Sequence, residues 1–342
     1  MNKNFNAMPF TLHGKWSYRL QSLFNLYLSL IYVSFRRLVK GPRLPKWNWM
    51  FEVSTHFAKM QSMIAFDMPN ISDGREYEDA LVMASAAVAQ TNIEPVTTPI
   101  KGHWFTPKAG AQDVTMLYLH GGGYAFYSKA HENLIALVTL AAKSKTFALD
   151  YRLIPEHPFP AQLEDALAAY RWLLETGIKP ERLVVCGDSA GGNLTLALLL
   201  ALRDSKSPLP ALGICIAPWT DVGNSGDSLK GNEPYDWVEK RMTLQWAEWF
   251  CKNESPDHPL VSPIHADLRG LPPIYIQAGD AEILYDMIRD FAEKAQSQGA
   301  NVKLDVWKSM NHDFQAFSGI IPESDEALQR IGQVISETVS VR

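Results

Sequence analysis

Ser189 lies at the centre of a Gly-x-Ser-x-Gly segment, residues 187–191, which follows the apolar run 183–186 and precedes a helix-like stretch, residues 193–199. A strand, a tight turn that carries a serine and a helix together form a nucleophile elbow. The turn is so tight that the residues beside the serine must lack bulk, and glycine meets that demand. We predict that the Ser189 hydroxyl is held out at a sheet edge, where it can attack a carbonyl carbon.

A second glycine-rich segment follows another apolar run, residues 114–119, and consists of His120 followed by Gly121, Gly122 and Gly123. Glycines in such a loop allow backbone N–H groups to approach a substrate oxygen without interference from side chains. We predict an oxyanion hole formed by the N–H groups of Gly121, Gly122 and the residue after the serine, Ala190. A flexible turn is the alternative interpretation of these glycines.

The order of residues along the chain predicts the other two catalytic groups. In this arrangement the acid follows the serine and the histidine comes last. Asp280 is the preferred acid because it stands at the carboxyl end of the strand-like run 273–278, whereas Glu282 and Asp286 fall into the following turn and helix. Of the nine histidines only His312 lies beyond Asp280. A helix N-cap is the alternative role for Asp280, and an ordinary loop histidine is the alternative for His312.

These three residues predict acyl transfer. His312 would take the proton of Ser189 as the serine attacks an ester carbonyl, and Asp280 would fix the imidazole tautomer and stabilise the imidazolium. Water would then hydrolyse the acyl-enzyme.

The same segments resemble a known family, the bacterial hormone-sensitive-lipase-like carboxylesterases of the α/β-hydrolase superfamily. The resemblance covers roughly residues 90 to 340, and its most specific blocks are residues 120–123, 151–161 and 187–192.

The resemblance implies hydrolysis of short to medium acyl esters, with no metal, no organic cofactor and a mobile cap over the site. It places Ser189, Asp280 and His312 on the family's catalytic positions. One residue departs from the family pattern, because Asp313 stands where a glycine usually follows the histidine. A carboxylate close to the imidazole would favour its protonated form, and we therefore expect activity to be displaced towards higher pH.

Strand-like runs alternate with helix-like segments through the part of the chain that carries these residues. Such alternation predicts a mostly parallel central sheet flanked by helices on both faces, the α/β-hydrolase fold, with a helical cap. Short runs at 96–100 and 103–105 predict an antiparallel edge. The strand-like runs are residues 114–119, 146–149, 183–186, 212–217, 274–278 and 302–307.

Two regions outside this alternation are assigned to the cap. Residues 1–90 form an N-terminal cap segment, and residues 219–262 form a second one inserted into the catalytic core, residues 91–342. Trp219 and Trp237 of the insert are candidate substrate-binding residues, because aromatic faces suit an acyl-binding wall. Burial of the cap's own core is the alternative role for both.

The N-terminal region contains a long apolar stretch, residues 16–40. No charge lies between Arg19 and Arg36, but polar residues interrupt the run, which is short for a spanning helix. Apolar residues recur at helical spacing. The resulting stripe either packs on the cap or makes a peripheral membrane contact.

Composition limits the partners and the compartment. The 342-residue chain has a formal net charge of −5 and no dense basic stretch, which argues against a nucleic-acid partner. The three cysteines fit small buried hydrophobic residues better than a disulfide framework or a metal site. We expect a cytoplasmic protein, and leave membrane association and homo-oligomer formation open as alternatives.

Two classes of function remain open. The leading one is a serine carboxylesterase that acts on a small-molecule ester, with a membrane-surface lipase or an acetyl-ester hydrolase as variants. The other is a non-catalytic protein that binds a small ligand on the same scaffold. Side-chain identity alone leaves the natural substrate, acyl-chain length, stereopreference and oligomeric state undetermined.

Overall fold

The N-terminal part of the protein consists of helices and one small sheet. The computed structural model describes residues 10–252 and 254–340. Asn48 begins the second helix by accepting a hydrogen bond from the Phe51 N–H group at 2.8 Å, a typical N-cap contact. The elements are β1 (Phe10–Leu12), α1 (Trp16–Lys40), α2 (Trp49–Phe66), α3 (Ile71–Glu78), β2 (Leu81–Met83) and α4 (Ala86–Ala89), and β1 pairs with β2 in antiparallel orientation.

An eight-stranded sheet follows, with the strand order β10-β9-β8-β7-β5-β6-β4-β3. All neighbours are parallel except the pairs β3–β4 and β4–β6 at one edge. The mostly parallel sheet predicted from the sequence is therefore confirmed. The strands are β3 (Thr91–Val96), β4 (Gly102–Pro107), β5 (Thr115–Leu119), β6 (Lys145–Leu149), β7 (Leu183–Asp188), β8 (Leu212–Ile216), β9 (Ile274–Gly279) and β10 (Val302–Trp307).

Helices cover both faces of this sheet because successive strand residues point to opposite sides. The helices are α5 (Lys129–Ala142), α6 (Ala161–Glu175), α7 (Ala190–Asp204), α8 (Ser228–Gly231), α9 (Lys240–Cys251), α10 (Tyr285–Ser297) and α11 (Pro322–Ser340). Leu117 and Val185 pack in one apolar cluster with α6, α7 and α10, while their neighbours Met116 and Val184 pack in another with α5 and α11.

The antiparallel edge exists, but its first strand was predicted too late in the chain. The sequence favoured 96–100, whereas β3 covers Thr91–Val96 and includes Pro95. Proline has no N–H group to donate to a sheet. It is tolerated here because β3 is the outermost strand and pairs only with β4.

The carboxyl ends of the parallel strands meet at one edge of the sheet, and the candidate catalytic segments leave from there. The helices α8 and α9 lie in the chain between β8 and β9. α2 packs against this insert, since the Phe66 ring lies 6.2 Å from the Trp246 ring and Lys59 donates to the Glu233 carbonyl at 3.1 Å. The division into core and cap stays a prediction.

Within residues 10–252 and 254–340, the structure contains no helix both long and apolar enough to cross a membrane.

Candidate active site

Ser189 occupies a sharp turn between β7 and α7. Its backbone has φ 51° and ψ −118°, a conformation that non-glycine residues rarely adopt. A Cβ atom on Gly191 would overlap the Leu119 carbonyl oxygen, and one on Gly187 would overlap the Gly191 carbonyl. The close approach of β5, β7 and α7 therefore requires both glycines, as the sequence pattern indicated.

The backbone of Ser189 is held on both sides. Its N–H group donates to the Ile216 carbonyl at 2.8 Å, and its carbonyl accepts from the Trp219 N–H group at 3.0 Å. The side chain is only partly buried, and its hydroxyl makes no hydrogen bond with any described residue. Catalytic hydrogen bonds often form only when substrate is bound.

His312 is 1 % exposed and lies in the loop after β10. Its Nδ1 atom is 3.8 Å from Oε1 of Glu282, which is fully buried. The other carboxylate oxygen of Glu282 accepts from the Gly279 N–H group at 2.9 Å, so that the turn after β9 holds this side chain beside the imidazole.

Asp280, the acid predicted from the sequence, is directed elsewhere. Its carboxylate accepts from the Ser309 N–H group, and none of its contacts among the described residues is a hydrogen bond or ion pair with His312. The turn after β9 folds back on the strand, so the third residue beyond Gly279 faces the histidine and the first faces the turn after β10. Sequence reasoning considered Glu282 but placed it in the turn and preferred the residue directly at the strand end.

The second ring nitrogen of His312 faces Asp313. Nε2 lies 3.3 Å from Oδ2 of Asp313, and the other oxygen of that carboxylate is buried without a hydrogen-bond partner among the residues that the structure describes. Asp313 has φ 51°, the left-handed region that favours glycine. The backbone conformation thus explains why glycine suits this position, and the aspartate adds a charge to it.

Carboxylates dominate the electrostatics around the imidazole. Burial on its own would lower the pKa of His312, but Asp313, Glu282 and Asp236 outweigh that effect and raise it to about 10. Burial also raises the pKa of Glu282 and Asp236, and that of Asp313 well above its usual range, although the nearby imidazole opposes these shifts. Asp188, beside the serine, has its pKa raised by burial as well. The cluster therefore retains protons that isolated carboxylates would lose.

The glycine loop contains three backbone N–H groups, of which two lack an acceptor among the described residues. The Gly121 N–H group donates to Oδ2 of Asp188 at 3.0 Å, and a Cβ atom on Gly121 would overlap that oxygen. The N–H groups of Gly122 and Gly123 have no acceptor among the described residues. Ala190 is the first residue of α7, where the N–H group has no acceptor within the helix. Of the three predicted oxyanion residues, Gly121 is thus engaged, whereas Gly122 and Ala190 are available. Gly123, which was not among the predicted residues, is available as well.

The loop is held by its histidine. The His120 ring is stacked between Tyr127 and Tyr151, with centroid distances of 4.0 and 4.1 Å, and its Nδ1 lies 2.9 Å from the Gly121 carbonyl. Burial lowers the pKa of His120 well below its usual value. The ring therefore stays neutral and fixes the glycine loop.

Trp246 of α9 closes one side of the loop. Its ring lies so near Gly123 that a Cβ atom there would overlap it. The indole is 7 % exposed, and its Nε1 atom is buried without a hydrogen-bond partner in the described part of the chain. A tryptophan of the insert therefore borders the free amides. The substrate-binding candidates predicted from the sequence are Trp219 and Trp237 of the same insert.

The two tryptophans predicted to bind substrate make structural contacts. Trp219 is 2 % exposed in the main apolar cluster, and its Nε1 donates to Oδ1 of Asn224 at 3.2 Å. Trp237 donates from Nε1 to the His312 carbonyl at 2.8 Å, and the two rings are 5.6 Å apart. Trp237 therefore positions the histidine.

The insert also holds the turn after β9, which carries Asp280 and Glu282. Asp236 accepts from the Ile283 N–H group at 2.7 Å, and Asn232 donates to the carbonyls of Asp280 and Glu282 at 3.0 and 2.9 Å. These contacts fix the backbone on either side of the carboxylate that faces His312.

The chain is similar to proteins with known names. A family model described as alpha/beta hydrolase fold matches residues 116–316. An acetyl-hydrolase of Streptomyces hygroscopicus is 40 % identical over 73 % of this chain and 85 % of its own. An esterase of Acinetobacter venetianus is 32 % identical over 68 % of this chain and 78 % of its own. The crystal structure of an esterase from the bacterial hormone-sensitive lipase family superposes with a TM-score of 0.72 at 32 % identity, and the match covers 96 % of this chain and 100 % of that one.

Proposed function

Because the chain belongs to the α/β-hydrolase-fold family and, within it, to the bacterial hormone-sensitive-lipase-like carboxylesterases, we propose that it hydrolyses carboxylic esters through an acyl-enzyme on Ser189. The observation that carries the proposal is the sharp turn between β7 and α7, in which Ser189 has a positive φ angle. The buried pair His312 and Glu282 lies in the loops that leave the same edge of the sheet after β10 and β9.

His312 is the general base of this mechanism. Its Nε2 atom takes the Ser189 proton and gives it to the alcohol that leaves as the ester bond breaks, and water then hydrolyses the acyl-enzyme. The Glu282 carboxylate next to Nδ1 fixes the tautomer and stabilises the imidazolium. We assign the acid role to Glu282 in place of Asp280. Asp280 instead supports the turn after β10 through Ser309.

The oxyanion that forms on the attacked carbonyl would be stabilised by N–H groups without other acceptors. We assign these to Gly122, Gly123 and Ala190. Gly121 has a different part, because its bond to Asp188 ties the loop to the end of β7.

The substrate class we propose is a small-molecule ester with a short to medium acyl chain. Trp246 packs on Gly123 and so limits the space beside the oxyanion amides. A short acyl group also agrees with the relative from Streptomyces hygroscopicus, which is described as an acetyl-hydrolase.

A series of p-nitrophenyl esters of rising acyl length tests the proposal on wild type and three variants. Ser189→Ala should lose at least about a thousandfold in kcat. Glu282→Gln should lose on the order of a hundredfold or more, because the neutral amide no longer stabilises the imidazolium. Asp280→Asn is the matched control, and its kcat should stay within about tenfold of wild type.

Each assignment can fail separately. Wild-type turnover by Ser189→Ala would refute the nucleophile. A severe loss in Asp280→Asn with little loss in Glu282→Gln would return the acid role to Asp280. If no ester is turned over by wild type, the non-catalytic ligand-binding class becomes the better one.

A further inference from the structure

The helix α1 is apolar on the side that faces away from the protein. We call this side the outer face of α1. Each of its large hydrophobic residues is between 40 and 86 % exposed, and the 25-residue helix is about 37 Å long. An apolar exposed surface of this extent marks an interaction site. The residues are Trp16, Leu20, Phe24, Tyr27, Leu28, Ile31, Phe35 and Leu38.

The opposite side of α1 is polar although it is buried. Asn25 donates to the Tyr77 hydroxyl at 2.6 Å, Ser22 accepts from Gln61 at 2.9 Å, and Ser29 lies 2.9 Å from Nδ1 of His56. Surface helices normally turn their apolar stripe towards the core. Rotation of α1 would leave these buried groups without partners, which is unfavourable. The hydrogen bonds thus hold the apolar stripe outward.

The charged residues of α1 itself and of the segment directly after it are all basic, although Asp73 and Glu76 pair with Lys15 just before the helix. Residues 16–43 contain no aspartate or glutamate. Arg36 and Arg37 pair with the buried Glu52, whose Oε2 and Oε1 they approach to 3.2 and 2.7 Å. Among the described residues, the side chains of Arg19 near one end of α1 and of Lys40 and Arg43 at the other make no ion pair with a carboxylate. Unpaired cations therefore flank the apolar stripe at both ends, in a chain whose net charge is −5.

We propose that the outer face of α1 docks on an anionic lipid bilayer, with the helix lying along the surface. An apolar face with tryptophan and tyrosine side chains enters the headgroup boundary, and flanking cations bind anionic headgroups. A two-fold contact with a second copy fits less well, because it would place like charges together with no carboxylate on this face to meet them.

Only the helix α2 lies between α1, the proposed bilayer contact, and the loop that carries His312. α2 supplies Gln61 and His56 to the inner side of α1, and its Thr55 accepts from Nδ2 of Asn311 at 3.1 Å. Asn311 directly precedes His312. If the proposed ester hydrolysis is right, docking would bring the site to esters dissolved in the lipid.

Co-sedimentation with vesicles tests the docking without reference to catalysis. Wild type, the double variant Phe24→Glu/Ile31→Glu and Val306→Glu are mixed with phosphatidylcholine vesicles that contain or lack phosphatidylglycerol. Both variant sites on α1 are exposed, so the fold should be retained, and the thermal midpoint checks this. Val306 is the matched control, an apolar residue 42 % exposed on β10.

Wild type and Val306→Glu should bind the anionic vesicles, more weakly at high salt, and the double variant should bind at least about tenfold more weakly. Equal binding by the folded double variant and wild type, or no binding by wild type, would overturn the proposal. A wild-type dimer that the double variant converts to monomer, without vesicle binding, would identify a second copy as the occupant. Hydrolysis of soluble p-nitrophenyl butyrate by wild type tests the proposed function independently.

Discussion

Removal of the Asp313 charge should move the pH dependence of hydrolysis towards acid. The carboxylate lies 3.3 Å from Nε2 of His312, and it is the strongest of the groups that raise the pKa of this histidine to about 10. A general base must be unprotonated to act, so wild-type kcat/KM should rise about tenfold per pH unit through neutral pH and level off in the alkaline range.

The size of the shift follows from the distance. Two unit charges 3.3 Å apart interact by about 5 kcal/mol at an effective dielectric constant of about 20. Since about 1.4 kcal/mol corresponds to one pH unit, full ionisation of Asp313 would displace the acid limb by roughly 3 to 4 pH units. Burial keeps part of the protons on Asp313, and we therefore expect a displacement of about 1 to 3 pH units in Asp313→Asn and Asp313→Gly.

The assay is kcat/KM for p-nitrophenyl butyrate between about pH 5 and 10, corrected for spontaneous hydrolysis. Asparagine keeps the size of the side chain and tolerates a left-handed backbone, whereas glycine also relieves the φ of 51°. Asp113→Asn is the control, because that carboxylate is 91 % exposed. If the acid limbs of the kcat/KM profiles of both Asp313 variants coincide with that of wild type, the electrostatic reasoning is refuted.

Three further changes test the cap and the N-terminal helices. Trp246→Ala should shift the preferred p-nitrophenyl ester to longer acyl chains, because it removes the ring that borders the oxyanion amides. Trp237→Phe should lower kcat about tenfold with little change in KM, because it loses the hydrogen bond to the His312 carbonyl and not a substrate contact. Asn25→Ala should lower the free energy of unfolding by about 1 to 3 kcal/mol in urea titrations, because it leaves the buried Tyr77 hydroxyl with one fewer partner.

Two control variants accompany these three changes. Trp249→Phe alters a neighbouring tryptophan of α9 and should leave kcat close to wild type. Ser17→Ala on the exposed side of α1 should change the unfolding free energy by less than about 0.5 kcal/mol. An unchanged acyl-length profile in Trp246→Ala, a loss confined to KM in Trp237→Phe, or wild-type stability of Asn25→Ala would contradict the corresponding assignment.

The nucleophile elbow and the sheet could be predicted from the sequence because they depend on adjacent residues. The turn at Ser189 requires glycine at fixed positions beside it, and parallel strands buried on both faces are continuous apolar runs. The run 274–278 falls within β9, all of whose residues are buried. His312 could be proposed because chain order left one candidate. It lies beside the buried Glu282 carboxylate, and its catalytic role stays a prediction.

The choice of the proposed acid and of the proposed oxyanion amides depends on how separate segments approach each other. Asp280 and Glu282 both follow β9 within three residues, and the choice between them depends on which side of the turn meets the loop after β10. Gly121 and Gly123 are equivalent as glycines. They differ because Asp188, on another strand, accepts the N–H group of Gly121.

The orientation of α1 also depends on contacts between separate segments. The spacing of its apolar residues indicated by itself that this helix has one hydrophobic stripe. Only the tertiary structure decided that the stripe faces outward, since the partners that bury Ser22, Asn25 and Ser29 come from α2 and α3, far along the chain. Periodicity depends on neighbouring residues, whereas the direction of a helix face depends on hydrogen bonds with groups that only folding brings together.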